Sequence, residues 1–173
     1  MIEHIPSCVT LLVAWDEQRL IGKGSGLPWN IPFDLKLFNK RTKNNTIIFG
    51  LNTYNGLPKR PLPGRFNIVV TPEFLEVNNT FPPNTSLAPA SGVKDAIDKS
   101  RLYSPNNEIF ICGGASIYQQ ALDQDLVDRM LVSVIPGYYD GNVYFPEFSG
   151  IWNKIIIERY KELYVEEWTK DEK

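Results

Sequence analysis

Phe110-Ile111-Cys112-Gly113-Gly114-Ala115-Ser116-Ile117-Tyr118-Gln119-Gln120-Ala121-Leu122 is the stretch that decides the fold. An apolar strand end runs into two glycines and then into a helix. Without a Cβ, the backbone there can approach a ligand closely, and the helix start presents free N–H groups. That combination suits a phosphate. It is not the G-x-G-x-x-G fingerprint, and a single Gly-Gly after a strand reads first as a tight turn. A second copy of the pattern changes the reading. Thr46-Ile47-Ile48-Phe49 runs into Gly50-Leu51-Asn52-Thr53-Tyr54. There Thr53 offers either a helix cap or a bond to a phosphate oxygen. Two such turns at the C-terminal ends of parallel strands would hold the two phosphates of a dinucleotide.

Working outward, strand-like apolar runs fall at 8–14, 46–49, 66–71, 108–112, 130–135, 154–160 and 163–169, with a weaker one at 85–88. Helix-like segments fall at 33–42, 52–57, 92–101 and 115–122. Strand and helix alternate through the first two-thirds, which argues for a parallel sheet with helices on both faces. The last third is all strand. The expected architecture is α/β: one domain over residues 1–173, with a central, mostly parallel, eight-stranded sheet, an antiparallel C-terminal edge and four flanking helices. No internal repeat is present, and 78–84 reads as a surface loop.

Composition narrows the chemistry. The chain has 173 residues, a size for one domain, and 43% of them are hydrophobic. Its net charge of −2 gives no default reading as a nucleic-acid binder. One histidine, His4, and two cysteines, Cys8 and Cys112, nearly exclude a metal site built from several His or Cys ligands. They also exclude a Ser-His-Asp or Cys-His device unless His4 serves it. No metal is therefore expected. No apolar run approaches a membrane span, and the N-terminal residues lack a signal-peptide pattern. The two cysteines sit in apolar runs and read as packed free thiols of a cytoplasmic protein.

The most informative stretch for function is Gly26-Leu27-Pro28-Trp29-Asn30-Ile31-Pro32-Phe33-Asp34-Leu35-Lys36-Leu37-Phe38. Pro32 suits a first helical turn. Asp34 and Phe38 are four apart and share a face. An acid on an apolar face is costly to bury unless something pairs with it. It is either an N-terminal acid favoured by the helix dipole or an acid held in an apolar pocket for a cationic or amidine-like group. Downstream, Arg60-Pro61-Leu62-Pro63-Gly64-Arg65 is a rigid turn that delivers an arginine just before a strand. That arginine is either a carboxylate clamp or one end of a surface ion pair.

Taken in order, six pieces resemble the dihydrofolate reductases. They are Ala14-Trp15-Asp16 through Gly22; Leu27-Pro28-Trp29 with Asp34; Gly50-x-x-Thr53; Arg60 through Arg65; Ile111-Cys112-Gly113-Gly114 with Tyr118; and Tyr144-Phe145-Pro146. Their order and spacing match from about residue 8 to residue 168. The resemblance implies a reductase that converts 7,8-dihydrofolate to 5,6,7,8-tetrahydrofolate with NADPH, in support of thymidylate and one-carbon metabolism. It also implies a cytoplasmic monomer that binds antifolates such as methotrexate or trimethoprim, and neither nucleic acid nor membrane. By the same resemblance, Asp34 binds the 2-amino group and N3 of the pterin and promotes protonation at N5. Trp29 holds a water near it, and Leu27 belongs with these two at the catalytic site and matches a pocket wall. Ser133 stands where the family's threonine bonds the acid. Leu12, Val13, Ala14, Leu35, Phe38, Leu62 and Cys112 match pocket walls, and Arg65 matches the clamp on the glutamate tail.

The resemblance further places Ala14, Ile21, Gly22, Ser25 and Gly26 at the nicotinamide and its closing loop. Gly50, Leu51, Asn52, Thr53, Val70, Thr71, Gly113, Gly114, Ala115, Ser116, Ile117 and Tyr118 fall along the rest of the cofactor. Asn142 stands where some relatives carry an aspartate that supports the closed loop. Three positions depart from the usual pattern. Leu51 stands where a basic residue is common, Thr71-Pro72 where a Ser/Thr-Ser/Arg pair often assists, and Ser116 where some members have arginine. The expectation is weaker discrimination of NADPH from NADH, or help from a base elsewhere, such as Lys43 or Lys94. Rival readings are another pyridine-nucleotide reductase on the same fold, of the riboflavin-pathway type, and a non-catalytic binding protein. Asp34 and Arg65 speak against the first, and the presence of Asp34, Gly114 and Thr53 against the second.

Overall fold

The computed structural model describes residues 8–71 and 86–171. His4, Pro72, Thr85 and the 78–84 loop of the sequence reading lie outside them. The strands are β1 (Val9–Asp16), β2 (Leu20–Gly22), β3 (Thr46–Gly50), β4 (Phe66–Val70), β5 (Leu87–Ala90), β6 (Ile109–Ile111), β7 (Arg129–Ile135), β8 (Val143–Tyr144), β9 (Trp152–Arg159) and β10 (Tyr164–Lys170). The helices are α1 (Pro32–Thr42), α2 (Leu51–Asn55), α3 (Val93–Tyr103) and α4 (Ala115–Asp123).

Eight strands form one sheet in the order β5-β4-β3-β6-β1-β7-β10-β9. The six from β5 to β7 are mutually parallel. β10 runs antiparallel to both of its neighbours. This is the expected single α/β domain with an antiparallel edge. A second sheet was not foreseen: β2 and β8 pair as a short antiparallel ribbon. Neither strand exceeds three residues, too short to carry a period-2 signal. β1 also runs to Asp16, two residues further than its apolar run.

Alternation on the central strand divides the molecule into two faces. Leu11, Val13 and Trp15 join a core with Val93, Ile97, Ile117 and Ala121, which are the apolar stripes of α3 and α4. Leu12 turns the other way, to Ile47, Phe49, Val69, Phe110 and Leu131, covered by Phe38 of α1 and Leu51 and Tyr54 of α2. Ala14 continues on that side into a third cluster with Trp29, Leu37 and Ile135. Each large side chain so buried contributes about 1.5–3 kcal/mol.

The glycine turns lie at the C-terminal ends of β3 and β6, on one edge of the parallel sheet, where open α/β sheets bind ligands. The chain makes the same turn a third time, at Ser91-Gly92 between β5 and α3. Two buried polar side chains fix loops at the two ends of the sheet, Asp16 at this edge and Asn67 at the opposite one. Asp16 accepts hydrogen bonds from the Gln18, Leu20 and Tyr139 amides, at 2.9, 3.0 and 2.9 Å. Asn67 closes the turn before β4. Its Oδ1 accepts from the Leu62 N–H at 2.9 Å, and its Nδ2 donates to the Leu62 and Arg65 carbonyls at 2.9 and 3.0 Å.

Candidate active site

Helix α1 begins at Pro32, which sets its first turn without needing an N–H donor. Asp34 lies in that turn and is 9% exposed. It faces both dipole and pocket, so the two readings of this acid are not alternatives. Trp29, itself buried, donates from Nε1 to Asp34 Oδ2 at 3.3 Å. Burial raises the pKa of Asp34, and the Trp29 bond lowers it; burial wins. The result is a carboxyl held more readily protonated than a free aspartate, one helical turn from Phe38, which packs with the cluster of Leu12, Leu62 and Cys112. Trp29 is held in turn by an edge contact with Tyr139, 5.6 Å between ring centres. Ser133, buried on β7 and paired with Ala14 of β1, shares this face and makes no bond to Asp34.

Cys112 is partly exposed by area yet enclosed by this cluster, and burial pushes its thiol pKa up, so a neutral thiol lines the wall. Arg65 is fastened to the last turns of α1, the end of the helix away from Asp34. Its Nη1 donates to Asn39 Oδ1 at 2.9 Å and Thr42 Oγ1 at 3.1 Å, and its Nε to the Pro63 carbonyl at 3.1 Å. Leu27 and Leu35 are half exposed, at the rim rather than in the wall.

The glycine turns meet. The Gly50 amide donates to the Gly113 carbonyl at 2.9 Å. A Cβ on Gly50 would lie 3.2 Å from Ile117 Cγ1, and one on Gly114 would lie 3.4 Å from Thr53 Oγ1. The two turns therefore pack as a backbone cradle that side chains would fill. Beside it lies a cavity of about 400 Å3 lined by Gly50, Leu51, Asn52, Thr53, Val70, Thr71, Ser91, Gly114, Ser116, Ile117 and Gln120. Thr53 does not cap α2, whose N-cap is Gly50; its hydroxyl faces Gly114 instead. This shape and these uncharged donors fit the diphosphate of a dinucleotide.

Nine of the cavity residues were read from sequence; Ser91 and Gln120 were not. Ser91-Gly92 carried the signal, as a third strand–glycine–helix turn. Gln120 gave none: its Oε1 accepts the Val93 N–H of α3 at 2.6 Å, a contact between helices. Gly113 and Ala115 flank the cavity without lining it.

Two side chains do not point where the sequence placed them. Val13 packs in the opposite core, so it offers this side only its backbone. Tyr118 is buried beneath the cradle, its hydroxyl spent on the Leu12 carbonyl at 2.8 Å. It explains a glycine instead: a Cβ on Gly113, at φ +106°, would meet the Tyr118 hydroxyl at 3.2 Å. Lys43 caps the C-terminus of α1, before β3 begins, at the opposite end of the sheet from the cavity.

The loop between β2 and α1 is tied down. Lys23 and Gly26 exchange backbone bonds at 2.9 and 3.1 Å. Asn142 accepts the Gly24 N–H on its Oδ1 at 2.8 Å and donates its own amide to the Gly22 carbonyl at 3.1 Å. Ile21, Gly22, Ser25 and Gly26 are placed by this contact and the β2–β8 ribbon. A larger cavity, about 720 Å3, lies at the far end of α4, between Asp123, Asp125, Trp152 and Asp171, away from these groups.

Comparison with known proteins agrees with this geometry. A family model of dihydrofolate reductase matches residues 8–168. Dihydrofolate reductase of Bacillus subtilis is 35% identical over 165 residues, 95% of this chain and 87% of that one. The Staphylococcus aureus enzyme is 33% identical over 141 residues, 82% and 79% of the two chains. A solved structure of Enterococcus faecalis dihydrofolate reductase, complexed with NADP(H) and RAB-propyl, superposes with a TM-score of 0.70. Its identity is 27%, over 93% of each chain. The acid, the arginine and the paired glycine turns thus belong to a recognised whole: the chain is a member of the dihydrofolate reductase family.

Proposed function

We propose that Asp34 is the acid through which this dihydrofolate reductase reduces 7,8-dihydrofolate to tetrahydrofolate with NADPH. The observation that carries the assignment is the buried carboxyl of raised pKa, bonded by Trp29 and one helical turn from Phe38 of the apolar cluster. A carboxylate there accepts two parallel hydrogen bonds, from the 2-amino group and N3 of the pterin. Its tendency to hold a proton favours the protonated pterin. Trp29 orients Asp34 and a water beside it, Ser133 supplies a hydroxyl on the same face, and Leu27 closes the rim. Leu12, Ala14, Leu35, Phe38, Leu62 and Cys112 press on the ring, with Val13 contributing backbone. Arg65 holds the carboxylate of the glutamate tail.

NADPH supplies the hydride when bound. Gly50 through Thr53, Val70, Thr71 and Gly113 through Ile117 hold its phosphates and ribose. Ala14, Ile21, Gly22, Ser25 and Gly26 enclose the nicotinamide and exclude water. We read the protein as a cytoplasmic monomer, its two free thiols suited to a reducing compartment. Among the described residues no helix is long and apolar enough to cross a membrane. Loss of NADPH absorbance on adding dihydrofolate, abolished by methotrexate or trimethoprim, tests the reading. No oxidation above background at saturating substrate would overturn it.

A further inference from the structure

We propose that the cofactor cavity separates NADPH from NADH by less than about a hundredfold, because its described lining offers uncharged donors and the nearby Lys99 is neutralised by Asp95. This rests on the dinucleotide reading of the cavity. The two cofactors differ by one phosphate on the adenosine ribose, a group of about two negative charges at neutral pH. Tight recognition of such a group uses arginine, planar and bidentate, or a lysine point charge.

None of the residues lining the cavity among those described carries a positive charge. Leu51, the first residue of α2, and Ser116, the second of α4, both line it and are aliphatic and hydroxylic. The stretch 72–85, which follows β4 in sequence, contains Glu73 and Glu76 and no lysine or arginine.

The charge that does stand beside it is an ion pair, Asp95 with Lys99. Ser91 lines the cavity and donates its N–H and its hydroxyl to Asp95 Oδ2, at 2.9 and 3.2 Å. Burial alone would raise the pKa of Asp95, but the bonds from Ser91 and the charge of Lys99 hold it below the usual range, so it is ionised. Lys99 pairs with that same carboxylate at 3.3 Å and donates to the Pro89 carbonyl at 2.8 Å. Lys94, at the start of α3, pairs with Asp98 at 3.0 Å. An ionised carboxylate in the first turn of α3, beside the cavity, neutralises the lysine that would otherwise draw a ribose phosphate and itself opposes that phosphate.

The test is binding as well as turnover. Kd for NADPH and NADH is read by quenching of tryptophan fluorescence without dihydrofolate, and kcat/KM for each with it. We expect both ratios to lie below about a hundredfold. Asp95→Asn should tighten NADPH severalfold and leave NADH within twofold. Leu51→Arg should raise the preference for NADPH about tenfold to a hundredfold, the worth of one charge-assisted contact. A wild-type ratio above a hundredfold in Kd overturns the proposal. So do folded variants that both leave the ratio unmoved. Because binding is read without substrate, either result is distinct from a failure of dihydrofolate reduction.

Discussion

Replacing Arg65 by leucine should raise the KM for dihydrofolate about ten- to a hundredfold while changing kcat far less. The magnitude follows from the way the guanidinium is held. Three hydrogen bonds, to Asn39, Thr42 and Pro63, use Nη1 and Nε and leave Nη2 without a partner among the described residues. The fork is therefore ordered before a ligand arrives, and little side-chain entropy remains to be lost on binding. Burial lowers its pKa, with the nearby Cys112 acting the other way, but an arginine stays cationic at neutral pH. A charge-assisted bond from such a group contributes about 1.5–3 kcal/mol, which is the stated range in KM. Asn39 touches no ligand in this scheme and acts through Arg65. Asn39→Ala removes one neutral tether, about 0.5–1.5 kcal/mol, and should raise KM about two- to tenfold. The decisive assay pairs dihydrofolate with dihydropteroate, which lacks the glutamate tail. Both variants should treat dihydropteroate as the wild type does. An equal loss with both substrates, in protein whose urea midpoint is unchanged, would show that Arg65 shapes the pocket rather than reading the tail.

The acid, the loop and the thiol each yield a further expectation. Asp34→Asn should lower kcat at neutral pH by about 10²–10⁴, with partial recovery at low pH where solvent protonates the substrate; a near-normal rate with flat pH dependence would refute the role. The same variant should be more stable than wild type at neutral pH. A raised folded pKa gives stability that is complete below the unfolded pKa and lost as pH rises through the folded one. Thermal melts of the two proteins should thus converge toward acid pH, and a less stable variant at pH 7 would contradict the burial argument. Gly141→Ala would put a Cβ 2.5 Å from the Gly22 carbonyl and 3.0 Å from Leu20 Cδ1. The loop must yield, at about 1–3 kcal/mol, so urea midpoint and NADPH affinity should both fall; wild-type values in both would show that the ribbon moves freely. Cys112, with its thiol pKa raised by burial, should alkylate with iodoacetamide far more slowly at pH 7 than in the unfolded chain. Comparable rates would place the thiol in water.

What the sequence shows and what it hides follow from how each residue acts. The alternation of apolar runs with helices was legible because each run is buried on both faces and so is continuous: Val9, Leu11, Leu12, Val13 and Trp15 are all core. Asp34 was legible as an acid among apolar neighbours at helical spacing. Asn67 was not. A polar residue inside Phe66-Asn67-Ile68-Val69-Val70 reads as a flaw in a strand, and only the fold shows that it fastens the turn bearing Leu62 and Arg65. Asp16 was hidden for the same reason, since its three amide partners span residues 18 to 139. The β2–β8 ribbon is held as much by Asn142 and the closeness of Gly141 as by its own pairing, and neither has a local signature. Local patterns thus announce elements and cradle glycines, whereas residues that join distant loops become visible only in three dimensions.

The core face of the sheet also shapes the site on its other side. Tyr118 packs among α3, α4 and the odd-numbered residues of β1, against Phe145 at 5.1 Å between ring centres. From there its hydroxyl reaches through the gap between β1 and the Gly113 turn to bond the Leu12 carbonyl. That reach and the positive φ of Gly113, +106°, together disfavour a side chain there, so a core tyrosine helps keep the backbone of the cradle bare. Leu12 in turn presents its side chain to the pocket beside Asp34 while its carbonyl is held from behind. Cradle and acid site are therefore braced by one buried hydroxyl. In the proposed reaction this shared support would hold the hydride donor on the cradle and the ring at Asp34 in fixed relation. Reactant alignment is then a property of the packed sheet rather than of flexible side chains.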